Sequence, residues 1–361
     1  MPAPGSIDFR QRLPSSEPLI HTLINAYMMS GALFTCAELD LFTYLDQNPG
    51  ARLEDIAAHC RITSKQARKL IGFGQSVGLV RAEKSGYHCS PEATRLLSRN
   101  SPDNLCAAIT HHQRHVYPLF NGLSDSMRLQ APICDRLNPE SDSEFYAQLD
   151  TRDEDFQIFM EAMNTFSRGA GTRLAHLISS RVGHDGPLRI LDLGGGGGQV
   201  AIELASHLPS AYIELVDLPK AVRHAQTQVI THGLQARIEC RAGDIFTPLP
   251  GDGAYDVVLL SAVLGDWSRP YQHKLLANAH AQLRSGGLLV VSETLLDDDL
   301  GGPILPALMS LYVQVLTEGG ENFSAERLSQ LLSDCDFQHV EVHDNRTMGC
   351  RDTVIAEKSY S

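Results

Sequence analysis

Residues 190–204 read Ile-Leu-Asp-Leu-Gly-Gly-Gly-Gly-Gly-Gln-Val-Ala-Ile-Glu-Leu, an apolar run, five consecutive glycines and a segment with apolar residues at helical spacing. This order constrains the chain to a buried strand, a sharp turn and the opening of a helix. Glycines let the backbone turn tightly and approach a ligand closely, and the helix starting near Gln199 offers unpaired amides to an anionic group. A glycine turn alone is a weak signal, and the next segments sharpen it. Tyr212-Ile-Glu-Leu-Val-Asp217 reads as a second strand ending in an acid, about 20 residues on, where such folds bind a ribose diol. Gly243-Asp244-Ile245-Phe246 and the strand 255–261 follow. A dinucleotide-binding protein would show the spaced pattern Gly-x-Gly-x-x-Gly, whereas these glycines are contiguous.

Composition limits the possible partners. The net charge of −13 and the isoelectric point near 5.6 argue against nucleic acid or an anionic membrane, because phosphate binding needs clustered Lys and Arg. The eight cysteines (36, 60, 89, 106, 134, 240, 335 and 350) are scattered without a Cys-x-x-Cys pair, and the chain starts without an apolar signal segment. The expectation is a reduced, cytoplasmic and soluble protein. No apolar run is read as approaching the ~20 residues that span a bilayer. With 361 residues the chain is long enough for two cores.

Residues 1–16, rich in Pro and Ser, read as a flexible arm. Residues 17–181 read as a helical region, and residues 182–361 as an α/β domain. Leu19, Leu23, Ala26, Tyr27, Leu33 and Phe34 recur at helical spacing, which predicts helices with one buried face. Residues 53–80 read as helix, turn, helix with Thr63 or Ser64 as cap, and residues 80–90 as a hairpin. This winged-helix pattern suits DNA binding or dimerisation, and the acidic chain favours dimerisation. A looser stretch is expected at Ala131–Asp142. From Leu188 strands and helices alternate, which predicts a parallel sheet with crossover helices, and 337–343 with 351–357 read as a closing antiparallel hairpin.

These ordered motifs, with Val216-Asp-Leu-Pro219, Leu259-Leu-Ser-Ala-Val-Leu-Gly-Asp-Trp267, Gly286–Glu293 and Glu318-Gly-Gly-Glu321, resemble the plant-type and bacterial small-molecule O-methyltransferases dependent on S-adenosylmethionine (SAM). The resemblance spans roughly residues 20–358. It implies a Rossmann-like SAM-binding catalytic domain after a mostly helical winged-helix dimerisation domain. It further implies a homodimer, a small-molecule acceptor, S-adenosylhomocysteine (SAH) as product, and no metal. By position Gly194, Gly196 and Gly198 would shape the loop around the methionine part of SAM. Asp217, followed by Leu218, would take the ribose hydroxyls, and Asp244 and Ile245 would flank the adenine. Ser261 stands where many relatives place a lysine. Trp267 would lie beside the adenine or serve simply in core packing.

The departure from the family lies at Gly265, where relatives usually carry the histidine that deprotonates the acceptor hydroxyl. A phenol, with pKa ~10, is a poor nucleophile when neutral, and a general base is worth roughly 10²–10⁴-fold. Three chemistries remain open. Methyl transfer to a thioether, thiol or amine, by proximity and desolvation, comes first. Another base could serve O-methylation, with His112 or His115 of the His111-His112-Gln-Arg-His115 cluster as candidates. SAM could also be bound without donating its methyl, as in related pericyclases and decarboxylases. A SAM-sensing winged-helix regulator is the reading outside enzymology.

Glu293 and Glu321 align with the glutamates that steady the missing histidine; they could instead face a cationic acceptor or product, or remain merely as inherited polar residues. Asp266 could cap the helix beginning near Ser268. Tyr146, Met163, Phe166, Met309 and Tyr312 fall in segments that line the acceptor pocket in relatives. Arg168 could hold an acceptor carboxylate, or form a salt bridge.

Overall fold

The structure is a computed structural model and describes residues 8–137, 145–182, 186–247, 249, 253–345 and 351–359. Part of the arm (1–7), the end of the loose stretch (138–142) and Cys350 lie outside the described residues. The chain divides into two compact units, residues 14–118 and residues 119 onward joined by the segment preceding Pro14.

The N-terminal unit opens with the helix Glu17–Glu38, started by Ser16, whose Oγ accepts from the Leu19 amide at 3.3 Å. Helices Leu53–His59 and Ser64–Ser76 form the helix-turn-helix, and Thr63 Oγ1 accepts from Gln66 N as expected of the cap. Strands β1 (Val80–Glu83) and β2 (Gly86–Cys89) form the antiparallel wing. Their core gathers Leu41, Phe42, Leu45, Ile56, Ile71, Val80 and Ala93.

The first helix departs from expectation, because its apolar face is not buried. Leu23, Ile24, Tyr27 and Met28 are 50–61% exposed. Among the described residues this helix alone is long and apolar enough, by length and composition, to cross a membrane. Thr22, Asn25 and Ser30 interrupt its apolar run, and few charges do.

In the C-terminal unit a seven-stranded sheet has the order β5-β4-β3-β6-β7-β9-β8. Here β3 is Leu188–Leu193, β4 Ala211–Asp217, β5 Ile238–Ala242, β6 Tyr255–Ser261 and β7 Leu283–Glu293. These five run parallel, and β8 (Phe337–His343) and β9 (Asp352–Lys358) add the antiparallel hairpin, with β9 beside β7. Alternate strand residues serve opposite faces. Ile190, Ile213, Leu215, Val257 and Val290 pack under helices 170–181, 199–207 and 219–231, while Leu191, Leu193, Val258, Leu260 and Val291 pack under helices 269–282 and 325–334.

Residues 119–181, grouped by sequence with the N-terminal region, pack on the C-terminal unit. Leu119, Ile133, Phe156 and Phe159 share a core with Ala221, Val315 and Leu316, and Ala170, Leu174 and Ile178 join the core under the sheet. The end of the arm is also anchored. Phe9 and Gln11 carbonyls accept from Leu305 and Ile304 amides at 3.0 and 3.3 Å, and Arg12 bonds Asp297 at 2.9 Å and Asp299 at 2.8 Å.

Candidate active site

The parallel strands β3, β4, β6 and β7 end at one edge of the sheet and deliver there the glycine turn, Asp217, residues 261–267 and Glu293. Strand β3 lies between β4 and β6, so the chain crosses from one face to the other at the glycine turn, the place where open α/β sheets bind ligands. Because β9 runs antiparallel, with Asp352 opposite Glu293, its first residues arrive at the same edge and bring Arg351 with them.

Gly194, Gly196 and Gly198 have φ of 76°, 55° and 83°, a region that disfavours side chains. At Gly195 the constraint is space, because a Cβ would stand 2.6 Å from Leu215 Cγ and 2.7 Å from Asp192 Oδ2. Asp217 holds the turn: its Oδ2 accepts from Gly196 N at 2.8 Å and its Oδ1 from Leu218 N at 2.7 Å. Burial pushes its carboxyl upward and these two amides pull it back. Asp192 is fully buried, and neither of its carboxylate oxygens has a hydrogen-bond partner among the described residues. Burial first, and then Asp217, raise it to about 7. A glycine cradle with one buried, unpaired carboxylate and a second, half-buried one fits a positively charged ligand that also carries hydroxyls.

Beyond the cradle Phe246 meets Trp267 edge-on at 4.8 Å, and Tyr271 lies 6.0 Å from the same ring. Trp267 Nε1 is buried without a partner among the described residues. Ile245 is half-buried against the core, while Asp244 is exposed and closes its own turn by accepting from Phe246 N and Thr247 Oγ1. Leu218 is 53% exposed. Ser261 Oγ accepts from Arg351 Nη1 at 3.4 Å. The next residue, Ala262, takes a left-handed φ of 53°, a strained backbone of the kind that accumulates at functional turns.

Gly265 is buried in the turn after β6, and a Cβ there would stand 3.0 Å from Glu321 O and 3.8 Å from Glu293 Oε2. Glu293 Oε1 accepts from Leu264 N at 3.1 Å and Gly265 N at 3.3 Å. Burial, reinforced by Asp266, raises Glu293 to about 7, while Arg351 and the two amides oppose the shift. Asp266 caps no helix; its Oδ2 accepts from Tyr146 OH at 2.6 Å. Burial raises it to about 6 against the pull of Tyr146 and Arg351. The Tyr146 ring stacks on Trp267 at 6.4 Å and meets Phe159 edge-on. Tyr146, Met163 and Tyr312 pack on the core beneath the site, and burial and Asp266 push the Tyr312 phenol up.

Other candidates are placed differently. The Glu321 carboxylate pairs with Arg327 at 2.7 Å, so this residue meets Gly265 through its backbone, its amide donating to Gly265 O at 2.8 Å. Arg168 Nη2 donates to Thr165 Oγ1 at 3.5 Å. Phe166 ends the helix 153–166, and Met309 lies in the helix 304–316; both are half-buried. His112 belongs to the N-terminal unit, on a π-turn where His111 and His115 Nδ1 atoms stand 2.8 Å apart. Burial lowers His112. Among the described residues no group of three or more His, Cys, Asp or Glu is arranged to hold a metal.

Two residues of the site went unsingled in the sequence. Asp192 lay within the apolar run, and only its unpaired burial marks it out. Arg351 lies 90 residues from Ser261; its signal was its place at the head of a closing antiparallel strand.

The strand order, the cradle and the aromatic-lined edge define a SAM-dependent methyltransferase, in which SAM supplies a methyl group on a sulfonium. Residues 143–338 match the O-methyltransferase domain and residues 21–99 the O-methyltransferase dimerisation domain. The chain belongs to the O-methyltransferase family. It is 29% identical over 342 residues to 3-hydroxy-5-methyl-1-naphthoate 3-O-methyltransferase of Streptomyces sahachiroi, covering 94% of this chain and 95% of that one. It is 30% identical over 278 residues to the N,N-dimethyltransferase OxyT of Streptomyces rimosus, covering 76% and 77%. The structure of human N-acetylserotonin methyltransferase in complex with SAM superposes with a TM-score of 0.86 at 27% identity, covering 96% of this chain and 100% of that one.

Proposed function

We propose that this enzyme methylates nitrogen or sulfur in a small metabolite, holding the acceptor against the sulfonium in a dry, oriented pocket without a histidine base. The observation that carries this reading is Gly265, which sets no imidazole beside Glu293, although Oε2 of that glutamate would lie only 3.8 Å from a Cβ at this position. Attack by a thioether or free amine needs alignment and a favourable field, not prior deprotonation of a hydroxyl. A relative named as an N,N-dimethyltransferase supports nitrogen as a target within this family. In this reading Asp192 and Asp217 face the positive and hydroxylated parts of SAM. Ile245, Phe246 and Trp267 flank its base, and Tyr146, Met163 and Tyr312 wall the acceptor.

The exposed apolar face of the helix Glu17–Glu38, within the region matched by the dimerisation domain from residue 21, is covered by a second copy of the chain in a cytoplasmic homodimer. The test of the chemistry is incubation with methyl-labelled SAM and a panel of thioethers, thiols, amines and phenols, with and without carboxylates. SAH and the labelled product are followed by mass spectrometry. Label on nitrogen or sulfur is expected; label only on phenolic oxygen overturns the reading.

A further inference from the structure

Beside Gly265 lies a carboxylate oxygen that no described residue satisfies. Glu293 is 8% exposed. The amides of Leu264 and Gly265 fix its Oε1, and its Oε2, 3.8 Å from where a Cβ of residue 265 would stand, has no hydrogen-bond partner among the described residues. Two groups share its surroundings. Asp266 is engaged through Oδ2 by the Tyr146 hydroxyl, and Arg351 is the guanidinium that acts on both acids.

Two acids against one guanidinium leave this end of the site negative. Asp192 and Asp217 at the cofactor end add to that balance. A carboxylate held mostly out of water is best satisfied by a donor, above all a charged one. A thioether brings no donor. A hydroxyl brings a donor without charge. An ammonium brings both.

We propose that the acceptor is an amine that enters as its ammonium ion, donates an N–H to Oε2 of Glu293 and surrenders that proton to it before methyl transfer. This rests on the reading of nitrogen or sulfur as target and narrows it to nitrogen. The N–H bond breaks with its pair left on nitrogen, and the proton passes to Oε2. That pair then forms the bond to the methyl carbon while the carbon–sulfur pair stays on sulfur. The products are SAH, an N-methylated ammonium and a protonated Glu293, which returns its proton to water when the product leaves. Crowding beside a second positive charge lowers the amine's own pKa and favours the transfer.

The experiment saturates the enzyme with SAH and measures, by calorimetry at pH 8, the binding of three probes of similar shape: phenethylammonium, 2-phenylethanol and phenethyl methyl sulfide. The ammonium is expected to bind at least tenfold more tightly than either neutral probe. In Glu293→Gln that preference should fall below threefold while SAH affinity shows the protein folded. Arg351→Gln, which removes the competing cation, should tighten the ammonium alone, and it carries the test if Glu293→Gln does not bind SAH. Absence of an ammonium preference, or its survival in Glu293→Gln, overturns the inference. Label transfer onto sulfur would overturn it too and leave the wider reading standing. Label only on phenolic oxygen would overturn both.

Discussion

Gly195 and Gly265 shape the site through the atoms they lack. A methyl group at 195 would be forced into Leu215 and Asp192 at 2.6 and 2.7 Å, and overpacking of this kind costs about 1–3 kcal/mol. Gly195→Ala should therefore weaken SAM binding at least tenfold, read by calorimetry; unchanged affinity would show that the turn has slack. At 265 the obstruction is milder, 3.0 Å to Glu321 O, but an imidazole there would cover Glu293 Oε2. Gly265→His is accordingly expected to lower turnover on the native acceptor about tenfold in an SAH-release assay, and a large gain would mean that the acceptor is deprotonated by a histidine and not by Glu293. Both glycines were legible in the sequence because a motif fixed their places. The role of Glu321 was not, since only the fold shows its carboxylate turned to Arg327. Asp192 and Arg351 were hidden for the same reason: unpaired burial and contacts across 90 residues leave no local pattern.

Secondary-structure elements were readable where their periodicity was answered within one chain. The alternation from Leu188 to Glu293 gave buried strands because both faces of the sheet are covered by helices, and the two closing strands paired as a hairpin. The helix Glu17–Glu38 shows where such reading stops: helical spacing reveals a stripe but not what covers it. Leu23, Ile24, Tyr27 and Met28 form an exposed apolar patch, which marks an interaction surface. Replacing Leu23 and Tyr27 by Glu should convert the homodimer to monomers, with the dimer dissociation constant raised at least 100-fold by sedimentation; an intact dimer would place the interface elsewhere. Of the arm, residues 8–16 are described, and Phe9, Gln11 and Arg12 among them are held. Its Pro and Ser content suggested looseness, yet Arg12 reaches partners 285 and 287 residues away, pairings that no window of sequence displays.

On the scale of the whole molecule the site concentrates negative charge in a chain already at −13. Asp192 and Glu293 are raised to about 7 and Asp266 to about 6, against roughly 4 for such groups in an unfolded chain. The folded protein without ligand therefore holds more protons than the unfolded chain between about pH 4 and 7, so its stability falls as pH rises through that window and the loss is complete above it. A cationic ligand favours the ionised carboxylates, and the sign reverses for the complex. The rise in melting temperature produced by SAM at fixed concentration should be small at pH 5 and larger at pH 8, measured by differential scanning fluorimetry. Asp192→Asn isolates one contribution. It should raise the melting temperature of the ligand-free protein at pH 8 by about 3 °C or more while reducing the SAM-induced shift. A variant that left both unchanged would show that Asp192 has a partner in the ligand-free protein and does not wait for a positive charge. The opposite signs of the two effects make this a test of function rather than of packing, because a carboxylate kept only for structure would lose stability on replacement.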